Sequence, residues 1–160
     1  MTQQQIMLKS SLDAWYTYIG RADKLFQSFS DEELLKEVAP DRNSAAYLLG
    51  HLAAVHDGFF PMYGLGEKLY PQLEEVFIKN PDKSGLPKPS VAELRKAWTE
   101  VNSKLAEHFN KYTVDQWLEK HTAVSAEDFQ KEPHRNKLNV LLNRTNHLAN
   151  HYGQLLFLKK

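Results

Sequence analysis

The residues between Val91 and Tyr112 constrain the fold more tightly than any other stretch. Val91, Leu94, Trp98, Val101, Leu105, His108 and Tyr112 recur three and four residues apart. A helix places such positions on one side, whereas a strand would scatter them over both faces. An apolar seam of this length has to be covered along its whole side, as in a helix of a bundle. Ser90-Val-Ala-Glu93 is a capping box that opens the helix, which is predicted to run to about Tyr112.

The same period recurs along the chain. From Gln3 to about Phe29, Ile6, Leu8, Leu12, Trp15, Tyr16, Ile19, Leu25 and Phe26 predict one long helix, with Gly20 a soft spot near its middle. Ser30-Asp-Glu-Glu33 is a second capping box that starts a short turn, and Pro40 ends that segment. Asn43 or Ser44 caps the next main helix, predicted to reach about Phe60 before Pro61, with Leu48, His51 or Leu52, Val55 and Phe59 turned inward. A short helix is expected around Glu67–Ile78, and Asn80 to Pro89 is a loop by composition. Thr113 to Arg135 reads as irregular, with Thr113-Val-Asp-Gln116 capping one short turn, and is long enough to cover one end of the core. The last helix is expected from about Asn136 to Leu158, with Leu138, Leu141, Leu142, Leu148, Tyr152 and Leu155 apolar. The chain reads as all-α, one four-helix-bundle domain over residues 1–160, with a short extra helix and a long loop before the last helix.

Composition excludes several function classes. Twenty basic residues balance twenty acidic ones, and no Lys/Arg run exceeds two residues, so nucleic acid is not an expected partner. The lack of cysteine rules out disulfides, thiolate zinc sites and a cysteine nucleophile. No apolar run approaches the roughly 18 residues of a membrane span, and Met-Thr-Gln-Gln-Gln does not begin a signal peptide. A cytoplasmic protein is the expectation. Neither a Gly-x-Ser-x-Gly elbow nor a Gly-rich phosphate loop occurs.

What remains as chemistry is histidine. His147 and His151 are four apart, so a helix stacks both imidazoles on one face, the geometry of a two-histidine metal clamp. His51 lies on or beside the buried face of the second main helix and is the candidate third donor. Three neutral imidazoles leave the charge of a divalent cation uncompensated, so water, hydroxide or an anionic ligand should fill the open positions, the catalytic rather than the structural pattern. The competing reading is that histidines on apolar faces are packed, hydrogen-bonded side chains. His56, five residues from His51 and about 140° round the helix, cannot share its site. His108 occupies a seam position, and His121 and His134 lie in the long loop, where solvent is expected to meet them. Gly153 implies tight helix packing or close approach of a backbone or ligand, and Gln154 orients a ligand or caps the bundle end. Asn43, Asp57 and Asn150 read as caps or hydrogen-bonding supports. Trp15, Phe59, Phe60, Trp98 and Phe157 are expected in the core.

Asn43-Ser-Ala-Ala-Tyr-Leu-Leu-Gly-His51-Leu-Ala-Ala-Val-His-Asp57, followed by His147-Leu-Ala-Asn-His151-Tyr-Gly-Gln154, resembles the DinB/YfiT-like superfamily of metal-dependent enzymes. The resemblance runs the length of the chain in order and helix count. It implies an antiparallel bundle in up-down-down-up order, with a divalent metal, commonly nickel or zinc, on His51, His147 and His151. It implies a homodimer and a small-molecule substrate. Some relatives are thiol S-transferases or isomerases using a low-molecular-weight thiol such as bacillithiol or mycothiol, and many have no assigned activity. A non-catalytic dimerisation or interaction bundle with a structural or vestigial metal site is the alternative.

Overall fold

The computed structural model describes residues 1–159. Among these the regular structure is all-α, with no strand and only two isolated bridges, Glu37 with Ser44 and Lys120 with Asn136. Four long helices carry the core: α1 (Gln3–Ser28), α3 (Ala45–Asp57), α6 (Val91–Phe109) and α9 (Lys137–Leu155). Shorter pieces join them: α2 (Asp31–Leu34), α4 (Phe59–Tyr63), α5 (Leu73–Phe77), α7 (Val114–Leu118) and α8 (Ala126–Lys131). A 3-10 turn, Leu156–Leu158, follows α9. No helix among the described residues is long and apolar enough to cross a membrane.

Helix starts follow local chemistry. Thr2, Ser30, Ser90 and Thr113 each form a full capping box, with Gln5, Glu33, Glu93 and Gln116 reaching back to the cap amide. Ser44, not Asn43, caps α3, its hydroxyl accepting from the Tyr47 amide at 3.1 Å. Gly20 leaves α1 unbroken, and an added Cβ there would meet nothing within 4 Å.

α1 packs along α9 and α3 along α6, and the pairs meet where α3 touches α9. Trp15 and Phe26 of α1 also reach across, to Phe59 of α3's extension and Trp98 of α6. The second main helix departs from the expected single inward stripe: eleven of the thirteen residues of α3 are buried. A helix apolar all round is covered all round, and α5, α6 and α9 do the covering. α3 also stops at Gly58, and Pro61 falls in the first turn of α4, where its missing amide costs nothing. The Glu67–Ile78 helix shrinks to α5, because Gly64 and Gly66 take positive φ and residues before Leu73 are turns. α6 ends at Phe109 rather than Tyr112. In the stretch read as irregular, Ser125 caps the unexpected α8. α7 buries Trp117 completely against Phe109 and Tyr63, closing one end of the core. Phe157 is 78% exposed rather than in the core, and Ile6 and Leu142 are exposed as well.

Among the glycines of the described residues, Gly50 is the most tightly enclosed. A Cβ there would lie 2.5 Å from the Phe77 ring of α5, which is itself fully buried. Gly50→Ala should therefore cost about 1–2 kcal/mol, an overpacking penalty of up to about 3 offset in part by alanine's better helix propensity. A lowered urea midpoint at unchanged m-value checks it, and unchanged stability would mean that α5 moves freely.

Candidate metal centre

α3 and α9 bring His51, His147 and His151 together, and one ring nitrogen of each lies within 4.8 Å of the others. His147 Nε2 is 3.1 Å from His51 Nε2 and 3.1 Å from His151 Nε2. Metal–nitrogen bonds of about 2.0–2.1 Å at a tetrahedral angle separate two donors by roughly 3.3–3.4 Å. The two 3.1 Å separations fall a few tenths of an ångström short of that value, a small adjustment from shared coordination.

Two of the rings are aimed by their other nitrogen. His51 Nδ1–H donates to the Phe77 carbonyl at 2.7 Å, since a carbonyl only accepts. His151 Nδ1–H donates to Gln154 Oε1 at 3.0 Å, and Gln154 Nε2 is held by Asn150 Oδ1 at 3.0 Å. Both Nε2 atoms therefore present lone pairs to the centre. His147 cannot satisfy them. A proton on its Nε2 serves one neighbour only, and its buried Nδ1 has no partner among the described residues. A cation between the three rings would accept all three lone pairs, so these residues fit a metal.

Electrostatics keeps the donors neutral. Burial pushes His147 down to about 4, helped by the neighbouring histidines and Arg144. Burial likewise lowers His51 and His151, opposed by their hydrogen bonds to Phe77 and Gln154. At neutral pH the imidazoles are unprotonated, the form that binds metal.

Two clefts reach the triad. One, of about 560 Å³, is lined by His151, Gln154, Asn43, Arg42 and the exposed Phe157. The other, of about 340 Å³, holds His51, His147, Arg144, Lys68 and Glu74.

The remaining candidates separate. Asp57 is buried and accepts the Leu69 and Tyr70 amides at 2.8 Å each, fastening the loop before α5. His56 is fully buried between Trp15 and Trp98, with Nδ1 2.8 Å from Asn102 Oδ1. His108 stands beside Phe60, away from the triad. His134 is exposed, but His121 is half-buried because Thr122 bonds to the Met62 and Pro61 carbonyls. Gly153 has open space where its Cβ would be, so neither tight packing nor a close backbone explains it. The Phe77 carbonyl and Gly50 were not singled out in the sequence. A backbone acceptor leaves no side-chain signature, and Gly50 is distinguished only by the ring placed over it.

Converging imidazoles on two helices of an all-α core define a helical protein with a candidate three-histidine metal centre. The family model described as the DinB superfamily matches residues 15–155, and the chain belongs to that superfamily. No curated protein matches the chain.

Proposed function

We propose that the chain is a divalent-metal enzyme, most simply a thiol-dependent S-transferase acting on small electrophiles, with His51, His147 and His151 as the ligands of nickel or zinc. The observation that carries it is the convergence of three neutral donors, two of them pre-aimed, that line two clefts. Structural zinc sites are closed by four ligands, whereas three with free positions is the catalytic arrangement. Bound there, a divalent ion would supply Lewis acidity and favour the conjugate base of a thiol or water near neutral pH.

The chain's own residues do the positioning. Phe77 and Gln154 fix the ring planes of His51 and His151, and the absence of cysteine means that the thiol comes from outside. Transfer would form a bond from the thiol sulfur to an electrophilic carbon, the leaving group departing with the bonding pair and the thiol proton passing to solvent. A homodimer in the cytoplasm, acting on small molecules, completes the reading by family resemblance.

The test is turnover of bacillithiol or mycothiol with a chromogenic aryl halide by nickel- or zinc-loaded protein. A rate above that of thiol and halide alone, abolished by chelation and restored by metal, is expected. No rate enhancement with either loaded metal would leave the non-catalytic bundle as the better reading.

A further inference from the structure

Arg144 precedes His147 by three residues on α9, so the two side chains leave one face about a turn apart. Both line the cleft of about 340 Å³ that His51 shares, a size suited to a small molecule. The treatment of other cations makes Arg144 unusual. Among the described residues Lys68, Arg95, Arg135, Lys137 and Arg144 are half-buried or buried. Lys68 pairs with Glu74, Arg95 with Asp31 at 3.4 Å, Arg135 with Glu132 at 3.1 Å and Lys137 with Glu119 at 2.7 Å. Arg144 alone of these has neither a hydrogen bond nor an ion pair to a described residue.

A guanidinium does not escape this position by losing its proton. Its nitrogens are not among the buried atoms left without a partner, so water can solvate them. An oxyanion displacing that water would meet no internal carboxylate competing for the guanidinium. The one carboxylate in the cleft, Glu74, is already engaged by Lys68. One unpaired positive charge therefore faces a cavity beside three neutral imidazoles. Its planar fork of donors matches an oxyanion with two oxygens.

We propose that Arg144 is the anion anchor of this site, gripping the carboxylate or phosphoryl group of a small substrate whose reacting end lies at His51 and His147. The assignment of a reacting end rests on the metal reading above; the anchor itself rests on Arg144 and its cleft. Either the thiol or the electrophile would then carry a carboxylate or phosphoryl group for Arg144 to hold.

The test is calorimetric titration of succinate and of inorganic phosphate into wild-type protein, Arg144→Gln and Arg144→Lys, each nickel-loaded and metal-free. At least about a tenfold loss of affinity for the preferred anion is expected in Arg144→Gln, with its metal content equal to that of the wild type. Arg144→Lys, which keeps the charge but not the fork, should weaken succinate several-fold and serves if the glutamine variant fails to fold. The tighter anion identifies the oxyanion. Wild-type protein that binds neither anion, or variants that bind as well as it does, would overturn the anchor while leaving the metal reading intact. Wild-type protein that takes up no nickel would overturn the metal reading, and the metal-free titrations would still decide the anchor.

Discussion

His147→Ala is expected to strip the protein of its divalent ion. His147 Nε2 is the shared neighbour of both other donors, 3.1 Å from each, so its loss leaves His51 and His151 without the ring between them. Removing a group that merely orients a ligand costs about 10–100-fold in metal affinity, and removal of a ligand should cost at least about 100-fold. At free metal 1,000 times the wild-type Kd, wild-type protein gains about 4.1 kcal/mol of stability and a variant binding 100-fold more weakly gains about 1.4. The metal-free variant loses the ring's packing and the one hydrogen bond its Nε2 can donate, as well as the unpartnered Nδ1, so each protein's zinc increment is read against its own metal-free baseline. Denaturant midpoints with and without zinc, beside metal analysis of untagged protein, read both effects. Equal zinc stabilisation in the two proteins would exclude His147 as a ligand.

The second large effect is acid sensitivity set by His56. Its ring is fully buried, and burial pushes it down to about 3, opposed by the hydrogen bond to Asn102 and reinforced by His147, Arg144 and His51. Above the ordinary value of about 6.5 both folded and unfolded chains carry the neutral ring, and stability is complete. Below it the unfolded chain takes up a proton that the folded chain refuses, so stability falls by up to about 1.4 kcal/mol per pH unit until about pH 3. The loss at pH 4.5 is on the order of 3 kcal/mol, a large part of the 5–15 kcal/mol that holds a typical domain together. The triad histidines shift in the same direction, so the contribution of His56 is the difference between wild type and His56→Gln, both metal-free. The variant should lose less stability between pH 7 and 4.5, and parallel curves would exclude His56 as the cause.

Much of this was legible in the residues, for identifiable reasons. The capping boxes at Ser30, Ser90 and Thr113 and the seam from Leu94 to Leu105 are local signals, and local hydrogen bonds and burial fulfil them. The spacing of His147 and His151 needed only one helix to become a facing pair. The approach of His51 needed tertiary structure, since α3 is buried at almost every position and periodicity could not say which side meets α9. Phe157 was misjudged because an aromatic residue past the end of a helix has no periodic partner to show which way it faces. Arg144 was readable by the same three-residue spacing that links Gln154 to His151, but an arginine's missing partner shows only in three dimensions.

His51 belongs to the α3/α6 pair of helices, and His147 and His151 to the α1/α9 pair. An ion held by all three would fasten the two pairs at the place where they touch. The pairs already share the Trp15–Phe59 and Phe26–Trp98 contacts of one core, so the ion would add a clamp beside that core and slow amide exchange in the α3 and α9 segments around it. The local opening free energy where α3 meets α9 would then depend on whether three nitrogens share a cation.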